Sequence, residues 1–198
     1  MIYKKSWKYI LIKDNIHNFY RLKAVKDFSN VKKGQIGGFV HNYHNLSQKG
    51  NCWIYDEAMV FGNAKLLDNA KAFNKAAMYD DVVVTENASI EDNSFVAGNA
   101  RISGYSRVSG DSQVSENAQI SDYVEVYGNA SVHGNARVYE SAEIFGCSRV
   151  CGDAKVYGNA RIYDSATITG NVQVLGIAQV SGSVYICKDV IIKDKILT

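Results

Sequence analysis

The sequence predicts an all-β solenoid, on three observations: a strict six-residue period, an inward-outward alternation within each period, and turn residues where one period meets the next. From Asn51 to Asp194 the chain divides into 24 hexads without an insertion or deletion. The second residue is small in every hexad, as in Cys52, Ala58, Ser94 and Val124. The fourth is Val or Ile in 21 of the 24, the exceptions being Leu66, Ala72 and Met78. Strand side chains alternate between faces, so positions two and four point one way and positions three and five the other. The first set is apolar, whereas the second includes Arg101, Gln119, Glu125, Arg137 and Lys155, which belong in water. A helix is excluded, because a period of six is not a multiple of 3.6 and would spread the apolar residues around the whole cylinder.

The order of elements follows from where this period starts and stops. Residues 1–50 are different in kind: ten Lys and Arg against two Asp, a net of +8, leaving 12 basic and 18 acidic residues, a net of −6, for the remainder. SWKYILI and NFYRLKAV predict short strands joined by a turn around Asp14 and Asn15, and KKGQIGG a further turn. In the first hexads the outward positions are apolar, at Trp53, Tyr55, Met59, Phe61, Leu67, Phe73, Tyr79 and Val83, so the N-terminal strands are expected to fold back over them. After the cap come the hexads, each closed in most cases by Gly, Asp or Glu and often opened by Asn, residues that favour turns. Short strands of this kind stack as the sides of a solenoid, stabilised coil against coil. Its ends need covering, because an open sheet edge invites pairing. The predicted organisation is a basic N-terminal antiparallel β cap over 1–50, repeats over 51–194 and a tail over 195–198.

Ile162 to Ala166 and Val138 to Ala142 place an aliphatic residue four positions before a small one. In this spacing the chain resembles the hexapeptide repeat of left-handed parallel β-helices, and the resemblance implies three hexads to each triangular coil. The 24 hexads then make about eight coils, a prism roughly 38 Å long at a strand spacing of about 4.8 Å. One departure is local: where the repeat usually has Gly just after the aliphatic residue, this chain has Tyr, Ser or Phe, with Gly one place later. The stretch FYRLKAVKDFSNVKKGQIGGFVHNYHNLSQKGNCWIYDEAMVFGNA is similar to the entry region of hexapeptide-repeat proteins of phages, prophages and enterobacteria. Those proteins are transferase-like, with function largely unassigned.

Composition narrows the setting. The sequence has neither an apolar run of about 20 residues nor a charged-apolar-small leader, so a cytoplasmic protein away from the membrane is expected. Four cysteines without CxxC spacing are expected as free thiols, Cys52 inward and Cys147, Cys151 and Cys187 outward or at a corner. Many hexapeptide β-helices are acyltransferases, and the resemblance implies a histidine base for such an enzyme. The repeats hold one histidine, His133, at an outward fifth position, which reads as a surface residue; no catalytic residue is assigned. His17, His41 and His44 lie in the N-terminal region, and no metal or cofactor is expected.

Two binding readings remain. Tyr3, Trp7, Tyr9, Phe19 and Tyr20 interleave with Lys4, Lys5, Lys8, Lys13, Arg21, Lys23 and Lys26, a pattern that suits nucleic acid but equally an amphipathic sheet with solvated lysines. Stacking of coil upon coil, in contrast, aligns Tyr127, Phe145 and Tyr163 in one outward column and sets Arg137 and Tyr139 beside Lys155 and Tyr157 on another wall. Tyr and Arg are enriched at interface hot spots, so these seven residues are the candidate docking surface for a partner protein. Arg107, Glu125, Glu143 and Arg161 read as a structural charge ladder. In the last coils Leu175, Ile177, Tyr185 and Ile191 turn outward positions apolar again, predicting a dimer or trimer through that end. The function expected is a non-enzymatic scaffold of phage or prophage origin that docks onto a host or phage protein, such as a defence or regulatory protein, and blocks it. An acyl-CoA-dependent acyltransferase is the alternative, and a nucleic-acid-associated protein using residues 1–50 the next.

Overall fold

Apolar residues at every second place inside a hexad, with a turn at each junction, give strands two residues long at positions three and four, and these fall onto three faces. The structure, a computed structural model, describes residues 7–14 and 19–198. Tyr3, Lys4, Lys5, Asn15 and His17 lie outside the described residues. Three strands precede the repeats: β1 (Tyr9–Lys13), β2 (Tyr20–Ala24) and β3 (Ile36–Val40). The first face begins with β3 and runs through Met59–Val60 to Tyr185–Ile186; the second runs from Lys65–Leu66 to Ile191–Lys193; the third runs from Trp53–Ile54 to Ile196–Leu197. Each strand pairs in parallel with its counterpart three hexads later, as Arg101 and Ile102 do with Gln119 and Ile120. No helix among the described residues is long and apolar enough to cross a membrane.

The coils are tied along the axis by N–H groups at odd positions, each donating to a carbonyl of the following coil. Arg101 donates to Ala118 at 3.0 Å, Ser103 to Ile120 at 2.9 Å and Tyr105 to Asp122 at 2.6 Å. Inside, Val, Ile and Ala at positions two and four are fully buried, among them Ile102, Ala118, Ile120 and Ile144, until the last coil, where Val184 and Ile186 are half-buried and Val190 is exposed. Serine is tolerated there because its hydroxyl donates to the carbonyl three residues back: Ser94 to Glu91 at 2.5 Å, Ser112 to Ser109 at 2.7 Å and Ser148 to Phe145 at 2.7 Å.

Position six turns each corner. In 23 of the 24 hexads this residue has positive φ, Lys188 being the exception. Glycine adopts that conformation freely, but other L-residues give up about 1–2 kcal/mol. Several acidic corners offset the cost by accepting the N–H of the corner one coil later: Asp80 from Gly98 at 3.0 Å, Glu86 from Gly104 at 2.8 Å and Asp92 from Gly110 at 3.0 Å. Gly104 (φ 72°) is different, because a Cβ there would stand 2.5 Å from the Asp122 backbone nitrogen.

The solenoid has nine turns, one more than the hexads alone make. The first is built by β3, by Leu46 bridging to Leu66 and by Trp53–Ile54. Val40 pairs with Val60 and Leu46 with Leu66, a separation of 20, so two residues are extra between Leu46 and Trp53, where no hexad pattern marks the coil. At the other end Val180 pairs with Leu197, a separation of 17, so the last coil is one residue short and residues 196–197 are its third side rather than a tail.

The cap extends the first sheet: β1 pairs antiparallel with β2, and β2 with β3, as the strand pattern predicts. It covers only part of the apolar outer surface. Trp53 is buried against Tyr9 and Phe28, and Phe19 stacks on Phe61 at 4.7 Å, whereas Tyr55 and Phe73 stack on each other at 4.6 Å. Gly37 permits this closure, since a Cβ there would meet the Trp53 ring at 2.6 Å. One lysine of the cap is not solvated. Lys8, 2% exposed, donates from Nζ to the carbonyls of Cys52 (2.9 Å), Lys49 (3.2 Å) and Gly50 (3.3 Å) and lies 3.1 Å from Cys52 Sγ. Burial lowers the pKa of Lys8 and raises that of the Cys52 thiol, while the mutual attraction of the two opposes both shifts.

Corner geometry yields a paired test. Gly104→Ala is expected to destabilise the protein by about 2 kcal/mol or more, combining left-handed strain with the backbone clash. Glu116→Gly, at φ 59°, is expected to be neutral or stabilising. Chemical denaturation of the two variants beside the parent chain checks both signs.

Candidate docking surfaces

Outward side chains at one position recur once per coil, so each face presents straight columns with the spacing of strands in a sheet, about 4.8 Å. An aromatic repeated in a column therefore meets its copy at stacking distance. On the third face the Tyr127 and Phe145 rings lie 4.9 Å apart at 0°, and Phe145 and Tyr163 lie 5.0 Å apart at 3°. On the second face Tyr139 and Tyr157 lie 4.8 Å apart at 7°. All five rings are half-buried, with their hydroxyls tied to neighbouring groups where the column allows: Tyr127 to Glu143 at 3.4 Å, Tyr157 to Gln173 at 3.3 Å and Tyr163 to Gln179 at 3.4 Å. Burial, and then the Glu143 charge, push the Tyr127 phenol above its ordinary pKa.

Two arginines of the third face are matched by carboxylates. Arg161 pairs with Glu143 at 3.0 Å and lies over the Phe145 ring at 5.2 Å; that carboxylate raises the guanidinium pKa. Arg107 pairs with Glu91 at 2.6 Å, a fifth-position residue of the preceding coil, so the ladder expected through Glu125 is divided into two pairs. Physically, a diagonal reach along the face serves Arg107 as well as a vertical one.

The second face is organised differently. Lys65, Val83, Arg101, Gln119, Arg137 and Lys155 follow one another in register at position three. Beside them an amide ladder climbs the corner: Asn63 donates to Asp81 at 3.0 Å, Asn99 to Asn117 at 3.1 Å, Asn117 to Asn135 at 3.1 Å and Asn135 to Asp153 at 2.9 Å. Between the two columns lie two open grooves. One, of roughly 560 Å³, is lined by Lys65, Asp81, Val83 and Arg101 and by Asn42 and His44 of the cap; the other, of roughly 180 Å³, is lined by Asn135, Arg137, Asp153 and Lys155.

Of the residues singled out in the sequence, the structure brings Tyr127, Phe145 and Tyr163 together, and separately Arg137, Tyr139, Lys155 and Tyr157; the two groups stand on different faces. Ile177, Tyr185 and Ile191 are 65%, 67% and 62% exposed in the last coils, while Leu175 is half-buried. Ile196, 68% exposed, joins them because the short final coil brings it to an outward slot opposite Gln179. Sequence reasoning misses the pair Tyr105 and Tyr123. Their rings stack at 5.3 Å and 3°, 61% and 64% exposed, at first positions where other hexads carry Asn; their spacing of one full coil was the available signal. His133, half-buried on the first face, has Nδ1 3.9 Å from a Glu116 carboxylate oxygen. Cys52 is buried, and Cys147, Cys151 and Cys187 reach solvent to differing extents; all four are free thiols.

Comparison with known proteins agrees with this architecture. Residues 154–170 match the family model described as the YdcK beta solenoid repeat. Over 40 residues the chain is 48% identical to the protein of Escherichia coli (strain K12) named "Uncharacterized acetyltransferase YdcK". That stretch is 20% of this chain and 12% of the relative, so the match spans only a small part of the relative's length. With its nine parallel turns and six-residue period, the chain is a β-solenoid of six-residue repeats, similar over these stretches to the YdcK repeat and to that relative.

Proposed function

We propose that this chain is a docking scaffold whose outer columns bind another protein, of host or phage origin, and block it by occupying its surface. The observation carrying the proposal is the ladder of Tyr127, Phe145 and Tyr163, three near-parallel rings on a wall whose interior is already filled by Val126, Ile144 and Ile162. The outer rings are not needed to complete the core. Held by stacking and by the Arg161–Glu143 pair, they lose little freedom on binding, which favours affinity. Through the exposed Ile177, Tyr185, Ile191 and Ile196, with Leu175 beside them, the same scaffold associates with a second copy of itself, leaving the side walls for the partner.

The name of the bacterial relative supports a second reading, an acyltransferase using His133 with Glu116 as its orienting carboxylate. The contact is long at 3.9 Å, and the Glu116 side chain is 62% exposed. Acetyl-CoA turnover that vanishes in His133→Ala would establish this reading over the scaffold; none is expected, and a true general base would lose about a hundredfold or more.

The scaffold reading is tested by pull-down from a host lysate with mass spectrometry, followed by the triple change Tyr127→Ser, Phe145→Ser, Tyr163→Ser. Loss of the stacked pairs should cost about 1–3 kcal/mol of stability, at roughly 0.5–1.5 kcal/mol per pair. Capture of the partner should be abolished, since such anchors commonly carry about 2 kcal/mol or more each. A variant that melts earlier but still captures the same protein removes the ladder as the docking site. For self-association, light scattering is expected to give a dimer or trimer, and the double change Ile177→Asp, Ile191→Asp a monomer. A monomeric parent chain at micromolar concentration refutes that part.

A further inference from the structure

The second face carries cations that the protein leaves unmatched. On the third face Arg107 and Arg161 have Glu91 and Glu143, yet Lys65, Arg101, Arg137 and Lys155 are in no ion pair among the described residues. They stand in one column, and neutral Val83 and Gln119 separate the first three. Both grooves run between this column and the corner amides and lie in line along one wall, with the coil of Asn117 and Gln119 between them; together they constitute the furrow. Each ladder Asn spends one N–H on the next coil and keeps its second for an outside acceptor.

We infer that this furrow binds an extended acidic segment of the partner protein, with carboxylates at every third residue on Lys65, Arg101 and Arg137. The inference rests on the docking-scaffold reading and names the chemistry of what docks. Spacing sets the period. Two coils advance about 9.6 Å at a strand spacing of about 4.8 Å. A polyproline II segment repeats its side-chain direction every three residues and advances about 9.3 Å in doing so. The cations at two-coil intervals therefore match carboxylates at i, i+3 and i+6, with Lys155 one coil further on for a terminal acid. Side chains between the acids face the amide ladder or solvent, and the solvated backbone of such a segment suits the free Asn N–H donors. Asp81 and Asp153, also in the furrow, oppose an anion in the coils of Val83 and Lys155; acids set on the coils of Lys65, Arg101 and Arg137 fall on neither, whereas the continuous charge of a nucleic-acid strand meets both. Tyr139 and Tyr157 are already stacked on each other at 4.8 Å, which leaves no gap between them for a base.

The test uses the full chain and a fluorescein-labelled peptide of four Glu-Pro-Ser repeats, with fluorescence anisotropy at low and at physiological ionic strength. Its isomer with the four Glu contiguous and an oligothymidylate of matching length are the comparisons. The spaced peptide should bind at least about fivefold tighter than its isomer, and R101Q/R137Q should weaken it by about tenfold or more, as expected for two lost charge-assisted pairs. Because both arginines are exposed, the variant should melt with the parent. Equal binding of the two peptides, unchanged binding by R101Q/R137Q, or tighter binding of the oligothymidylate overturns the inference. The peptide assay needs no native partner and uses a different face from the aromatic ladder, so the two failures are separable. Peptide binding that survives while the ladder variant still captures its protein counts against the ladder alone, and loss of capture without peptide binding counts against the furrow alone.

Discussion

All but one of the sixth positions turn the chain through a corner with the backbone in the left-handed region, and the rest of the molecule follows from that turn. The turn keeps each strand short, and three turns close a coil whose N–H groups meet the carbonyls of the next. Glycine satisfies the corner at no steric cost, but a prism of glycine corners would lack side-chain links between coils. Asp and Glu corners resolve this: the strain of about 1–2 kcal/mol is countered by a charge-assisted bond to the next corner's N–H. Corner and coil stacking are thus a single interaction seen from two sides.

A fixed register turns the outer surface into columns, and each column either satisfies itself or does not. Asn above Asn closes into an amide ladder, Tyr above Phe into a stack, and Arg near Glu into an ion pair. These ladders stabilise the solenoid locally and hold their side chains in place. The second-face cations repeat in register with no carboxylate paired to them, while Asp81 and Asp153 beside them accept from Asn63 and Asn135. Like charges one or two coils apart repel, so the arrangement costs some stability that an external anion would return.

Most of the fold was legible in the hexads, because burial at positions two and four and turns at position six are strictly periodic. The ends were not legible for the same reason. Leu46 enters the first coil through a stretch with two extra residues, and Ile196 joins the last through one that is a residue short, so neither falls on the six-residue grid. Lys8 is misplaced by alternation alone: its ammonium is drawn inward because the first coil leaves the carbonyls of Lys49, Gly50 and Cys52 facing the cap. At the candidate sites, columns are predicted well and diagonals poorly. The stacks of Tyr127, Phe145 and Tyr163 follow from a spacing of one coil, but the Arg107–Glu91 contact has a separation of 16 and depends on side-chain reach. Tyr105 and Tyr123 escape a pattern built on strand positions because they occupy corners.

A triangular prism also constrains what kind of site it can build. Side chains on one wall run parallel, and those of adjacent walls diverge, so residues from separate coils converge less readily than at the mouth of a barrel or the end of a sheet. Binding energy must then come from repetition along a wall, where several modest contacts add without further ordering cost. Convergence needs a segment that leaves the period, and residues 41–46 supply one, bringing Asn42 and His44 over Lys65, Asp81 and Arg101. The cap accordingly does more than close the apolar end. Asn42 and His44 line the first groove together with Lys65, Asp81 and Arg101, so a linear ligand of the kind proposed would meet the cap at that end.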